Sequence, residues 1–191
     1  MRRFGAALVG FAGLTGLVLF PSTHRWDQEV AVSLQRFLMP YDLHVPVLVS
    51  LGNVDVAIPL AALAAALLLL ITRRTLQRAA WLVFGLAAGT AIELIFKAVI
   101  PHPAPGGLSG HLVILLGLTV PAPYGFPSGH TLRVTMIACT ALRRTPWLAG
   151  ALVLSVMIAL ICSGSHWPSE VLGGLCLGWA LFEMGALIRQ A

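Results

Sequence analysis

Residues 79–100 read Ala79-Ala80-Trp81-Leu82-Val83-Phe84-Gly85-Leu86-Ala87-Ala88-Gly89-Thr90-Ala91-Ile92-Glu93-Leu94-Ile95-Phe96-Lys97-Ala98-Val99-Ile100. A helix needs about 20 mainly apolar residues to cross the hydrocarbon of a bilayer, and this run has that length. It also contains Glu93 and Lys97, four residues apart on one helical face and the chain's single lysine among them. Ionisable residues inside a span are costly in lipid, so the pair marks the interior of a bundle and a functional site. One stretch therefore states both the fold class, a membrane helix bundle, and the place to look for chemistry.

Working outward, the other apolar runs are Phe4–Phe20, Val45–Ile71, Ser128–Leu142, Trp147–Ile161 and Pro168–Ile188, which makes six spans. The whole chain of 191 residues is 58% hydrophobic and 10% charged, with mean hydropathy +0.91. Soluble domains carry about 25% charged residues, so a water-soluble globule is excluded. Six spans use roughly 120 residues, which leaves only ends and connections and makes residues 1–191 a single membrane domain. The run behind Arg2 and Arg3 ends at Pro21-Ser22-Thr23 without a small-x-small cleavage site, so it reads as a retained span rather than a signal peptide. Trp26–Met39 mixes apolar residues with Asp27, Glu29, Gln35 and Arg36 and suits a short interfacial helix anchored by Trp26. His111–Val120, at ten residues, is too short to cross and reads as a re-entrant or interfacial lip. Gly52-Asn53-Val54-Asp55 is a polar flaw in the second span. Cys139, Cys162 and Cys176 lie in apolar stretches without paired spacing and read as core residues.

The formal charge of +5 is topological. Arg2, Arg3, Arg73, Arg74, Arg78, Arg143, Arg144 and Arg189 fall on one side of a six-span layout; Arg25, Arg36, Lys97 and Arg133 fall on the other. The positive-inside rule then makes both termini cytoplasmic and removes the main support for nucleic acid as a partner. The outward connections hold Glu93, Lys97 and His102, then Pro127-Ser128-Gly129-His130 with Arg133, then Ser163 to Glu170. Three segments distant in sequence thus meet at one depth.

Their chemistry suits an anion. Pro127-Ser128-Gly129-His130 opens a helix, whose free N–H groups and positive dipole end can cradle phosphate, with the Ser128 hydroxyl as a further donor. Lys97 adds a point charge oriented by Glu93. His166 and Glu170 are four apart, so the carboxylate can fix the imidazole tautomer, the role of the third member of a catalytic triad. Each piece alone has a structural reading: Ser128 as a helix cap, Glu93 with Lys97 as a self-neutralising pair, Trp167 as an interface anchor, and either histidine as a helix-end residue. Their combination is what points to a site.

These residues resemble the type-2 phosphatidic acid phosphatase superfamily of membrane lipid phosphatases. That family carries Lys, six residues, then Arg-Pro; next Pro-Ser-Gly-His; and last Ser-Arg, five residues, His, three residues, Asp. The second motif is intact as Pro127-Ser128-Gly129-His130, and the third survives as His166-Trp167-Pro168-Ser169-Glu170, with Glu for Asp. The two arginine positions hold Ala104 and Leu160. Loss of two bidentate phosphate contacts weakens binding or transition-state stabilisation. Arg133, one turn past His130, is the substitute; His102 is the second choice.

The resemblance implies a metal-independent, cofactor-free enzyme. His166 forms a phosphohistidine, Glu170 holds its other ring nitrogen, and His130 protonates the departing oxygen. Lys97, Ser128, Gly129 and Arg133 would bind the phosphoryl oxygens, with Glu93 and His102 in support. The implied substrates are lipid phosphates: phosphatidic acid, phosphatidylglycerol phosphate or isoprenyl diphosphates, hydrolysed at the outer face of a bacterial inner (plasma) membrane. Membrane lipids are the other partner, and the oligomeric state stays open. An inactive relative that binds or moves phospholipid headgroups, and a lipid phosphotransferase, remain as alternatives.

Overall fold

Leu, Ala, Val and Ile dominate every long run of the chain, and in lipid their backbone polar groups can be satisfied only within a helix or a closed barrel. The computed structural model of the protein accordingly is mainly helical; it describes residues 1–38, 45–71, 76–105, 111–115 and 118–188. The helices are α1 (Arg2–Leu17), α2 (Pro21–Leu38), α3 (Val45–Ser50), α4 (Val54–Ile71), α5 (Leu76–Val99), α6 (Gly129–Ala141), α7 (Pro146–Cys162) and α8 (Pro168–Ile188). Arg73, Arg74 and Arg189, used above to orient the chain, lie outside the described residues.

Among the described residues α5 and α8 are long and apolar enough to cross a membrane; α1 and α2 add a third span if the pair, bent by 103°, is taken as one. Residues Asp55–Ala66 of α4 and the whole of α7 are apolar but shorter. Helix α8 is the centre of the packing, with α6 along one side and α1 along another, while α5 and α7 both lie against α6.

Two apolar clusters hold the helices together. Phe11, Leu82, Phe126, Leu132, Met136, Leu177 and Leu181 join α1, α5, α6 and α8. Val134, Val153, Val156, Leu160, Ile161 and Val171 join α6, α7 and α8, and Ala31 brings α2 to them. The periphery is apolar as well: Val83, Phe84 and Ile95 on α5 are more than half exposed, whereas Glu93 on the same helix is 1% exposed. Polar residues inside and hydrocarbon outside is the distribution a bilayer demands.

Three expectations are amended. The all-α reading misses an antiparallel hairpin, β1 (His111–Leu115) with β2 (Leu118–Ala122), in register His111 with Ala122. Val113, Ile114, Thr119 and Val120 are β-branched, and the run is too short for a spanning helix, so local strand pairing satisfies its backbone. The second apolar run is two helices, α3 and α4, because the polar flaw becomes the turn between them. Helix α2 is longer than read from sequence and buries Asp27 completely instead of leaving it on a wet face.

Candidate active site

The chain leaves α7, turns through Ser163–Trp167 and enters α8 at Pro168, a residue suited to a first helical position. Glu170 is then the third helical residue, and its Oε2 reaches back to accept from the Trp167 backbone N–H at 3.3 Å. That contact is the acidic half of a capping box. The same Oε2 lies 2.6 Å from His166 Nδ1. The four-residue spacing therefore works differently from the helical turn expected: His166 stands before the helix, and the carboxylate meets it by folding back over the N-terminus. A glutamate is the residue type that makes this return, which is a physical reason for Glu where the family motif has Asp. The Glu170 carboxylate lies against the Cα of Gly125, where a Cβ would collide with it.

Ser128 is the N-cap of α6 and accepts from Thr131 N–H at 3.4 Å and from the Thr131 hydroxyl at 3.3 Å. Both contacts use its lone pairs, so its own O–H remains a donor. The Ser128 backbone N–H donates to the Glu170 carbonyl at 3.0 Å, which ties the starts of α6 and α8 together. Pro127, after a cis peptide bond to Phe126, precedes this cap instead of occupying the first helical turn.

The tie brings the two histidines face to face: His166 Nε2 is 3.4 Å from His130 Nδ1. The far nitrogen of His130, Nε2, is 2.7 Å from Asn53 Oδ1 in the α3–α4 turn. An amide oxygen only accepts, so Nε2 of His130 carries a proton and donates it to Asn53. By the same logic His166 donates Nδ1–H to the Glu170 carboxylate. Each ring thus presents its other nitrogen to the shared space, His166 an Nε2 lone pair and His130 an Nδ1 that can hold or release a proton.

The cations converge from two helices. Glu93 Oε1 is 2.9 Å from Lys97 Nζ, and Glu93 Oε2 accepts from Arg133 NH1 at 2.8 Å. Arg133 Nε donates to the Gly52 carbonyl at 2.8 Å. Arg133 is 4% exposed and shares the Glu93 carboxylate with Lys97. The Glu93 carboxylate itself rests against Gly129 Cα, where any Cβ would overlap it. Glycine at that place in Pro127-Ser128-Gly129-His130 therefore admits an anionic group to the start of α6, and a carboxylate of the protein is there.

His102 has acceptor partners of its own. Its Nε2 is 3.3 Å from Asp27 Oδ2, 3.2 Å from Ser169 Oγ and 3.9 Å from Glu170 Oε1. It stands at the second oxygen of Glu170, while His166 holds the first. Asp27, Asn53 and Ser169 are site residues that the sequence reading did not assign. The polar flaw flagged Asn53; Asp27 was one charge among several on an amphipathic helix.

Residues 78–190 match the family model described as PAP2 superfamily. An undecaprenyl-diphosphatase of Sulfolobus acidocaldarius is 31% identical over 136 residues, which is 69% of this chain and 63% of that protein. A decaprenylphosphoryl-5-phosphoribose phosphatase of Mycobacterium tuberculosis is 31% identical over 105 residues, 53% of this chain and 57% of that one. The chain thus spans about three fifths of the length of the curated relatives it matches. The crystal structure of a transmembrane PAP2 type phosphatidylglycerolphosphate phosphatase from Bacillus subtilis superposes with a TM-score of 0.76 at 19% identity, covering 100% of this chain and 97% of the other. With the family match extending over more than half its length, from the start of α5 to the end of α8, the chain belongs to the PAP2 superfamily.

Proposed function

We propose that the protein is a membrane lipid phosphatase working through a phosphohistidine. The observation that carries this reading is the line Glu170–His166–His130–Asn53, with Lys97 from the end of α5 and Arg133 from α6 both on the Glu93 carboxylate beside Gly129. His166 Nε2 attacks phosphorus; the P–N bond forms as the P–O bond to the lipid breaks, and the departing oxygen takes the proton from His130 Nδ1. Water then attacks the phosphohistidine and gives its proton to His130 Nδ1. The P–N bond breaks, inorganic phosphate leaves, and His166 is restored. Lys97, Arg133, the Ser128 hydroxyl and the Gly129 backbone N–H stabilise the phosphoryl oxygens. No metal is required, so release continues in EDTA.

The substrates fitting this reading are phosphomonoesters or diphosphates of lipids: phosphatidic acid, phosphatidylglycerol phosphate and isoprenyl diphosphates. A cavity of about 300 Å³ beside His166, bounded by Gln28, Gln35, Pro105 and Trp167, gives room for the group that carries the phosphate. We further propose a single domain of six spans with both termini cytoplasmic and the site facing outward across a bacterial inner membrane. In support, Arg3 and Arg143, which charge asymmetry puts on one side, line a common cavity.

A second reading, a relative that binds or translocates headgroups without cleaving them, is favoured by one observation. Glu93 already engages both cations, so an incoming phosphate must compete with it. Phosphate release by purified protein over a lipid panel, with His166→Ala as control, separates the two. Release abolished by the substitution supports the phosphatase. No release above the control on any lipid leaves the binding reading, and transfer to an acceptor without free phosphate identifies a phosphotransferase.

A further inference from the structure

Glu170 has two oxygens with unequal lives. Oε2 serves His166 and the Trp167 N–H. Oε1 is buried and has no hydrogen-bond partner among the described residues. A buried carboxylate oxygen left so costs free energy unless its surroundings supply positive potential. His102 Nε2, 3.9 Å away, is placed to supply it.

The proton on that nitrogen can be placed by counting. Asp27 Oδ1 accepts from the Ser169 backbone N–H at 2.8 Å, and Asp27 Oδ2 accepts from the Ser169 hydroxyl at 2.7 Å. The single hydroxyl proton of Ser169 is thereby committed to Asp27, so Ser169 Oγ, 3.2 Å from His102 Nε2, meets the imidazole with a lone pair. His102 Nε2 also lies 3.3 Å from Asp27 Oδ2, so it meets acceptors on both sides and carries a proton that Ser169 Oγ and Asp27 Oδ2 share. Donation runs from His102 to Ser169 and Asp27, and the protonated Nε2 stands 3.9 Å from Glu170 Oε1, close enough to act on it electrostatically without a hydrogen bond. Asp27, His102, Ser169 and Glu170 are each no more than 1% exposed, so water screens none of it.

We propose that Asp27, Ser169 and His102 form a positioning shell for Glu170, in which the His102 N–H supplies positive potential to its second oxygen and reserves the first for His166. The assignment rests on His166 being the nucleophile. It adds Asp27 and His102, from α2 and the segment after α5, to a reaction whose motif residues lie on α5, at the start of α6 and in the turn that enters α8. It also gives α2 a task beyond the membrane surface: Asp27 supplies from another helix the acceptor that Trp167, at the N-cap of α8, cannot.

A double-mutant cycle on the full-length protein tests this. His102→Gln is expected to lower kcat about tenfold, as loss of an outer-shell partner does, with KM unchanged because His102 touches no substrate. In a Glu170→Gln background the same change should have no further effect. Asp27→Asn, which keeps an acceptor for the Ser169 N–H, should behave alike and guards against misfolding of either partner. The cycle is read a second time by the rate of His166 carbethoxylation by diethyl pyrocarbonate, followed by peptide mass spectrometry, which needs no lipid. Slowing confined to the Glu170 background supports the shell. Equal slowing in both backgrounds, or none, overturns it. Absence of phosphate release from the parent protein defeats the phosphatase reading alone, since the carbethoxylation cycle still decides this one.

Discussion

Close contact with two glycines sets how the carboxylates lie. Glu170 reaches His166 only because Gly125 offers no Cβ to its carboxylate. Gly125→Ala should therefore displace Glu170, costing about 1–3 kcal/mol by overpacking and most of the turnover. Adding Glu170→Asp, one methylene shorter, should recover part of both, as measured by thermal unfolding in detergent and by phosphate release; no recovery would count against steric placement. The ion cluster predicts an asymmetry. Removing Arg133 leaves Glu93 still paired with Lys97. Removing the Glu93 charge leaves two buried cations, for which loss of a partner costs about 3–5 kcal/mol. Glu93→Gln should thus lower the unfolding midpoint more than Arg133→Gln, whereas Arg133→Gln should have the larger effect on KM for lipid phosphate. Equal midpoints would mean that Glu93 is not the common counter-ion.

The start of α8 is where element and site coincide. Its N-terminal N–H groups are answered by Glu170 on Trp167 and by Asp27 of α2 on Ser169. Asp27→Ala should cost about 1–2 kcal/mol, the worth of an N-cap, while Asp27→Asn should cost much less in stability. Equal losses in the two would assign the effect to charge instead of capping. The α3–α4 turn is the second such element: Asn53 holds His130, and the Gly52 carbonyl holds Arg133. Asn53→Ala should reduce kcat about tenfold with little change in KM, measured on the best lipid of the panel. From sequence, α6, α7 and α8 were legible within about two residues, because sustained hydropathy and Pro or Ser at the first turn are local signals. The α3–α4 turn was visible only as polar residues interrupting a span. Its purpose needed the partner helix, since Asn53 and His130 are 77 residues apart.

The molecule as a whole is turned inside out relative to a soluble domain, with apolar Val83, Phe84, Ile95 and Trp147 outside and Glu93, Arg133, His166 and Glu170 within. Its proposed orientation is testable by cysteine labelling in intact cells after the native cysteines are replaced. Ser165→Cys, beside His166, should react with an impermeant maleimide, and Arg144→Cys only after permeabilisation; the reverse pattern would invert the topology. Composition, the arginine asymmetry and the three motif segments sufficed to read a membrane helix bundle and to name His130, His166, Glu170, Lys97 and Arg133, because hydropathy and residue type are properties of short stretches. Partnership is not such a property. That Arg133 meets Glu93, that His102 stands beside Asp27, Ser169 and Glu170, and that Asp27 caps a helix 142 residues away depend on which faces pack. Buried polar groups must find partners wherever packing places them, and only the assembled helices say where that is.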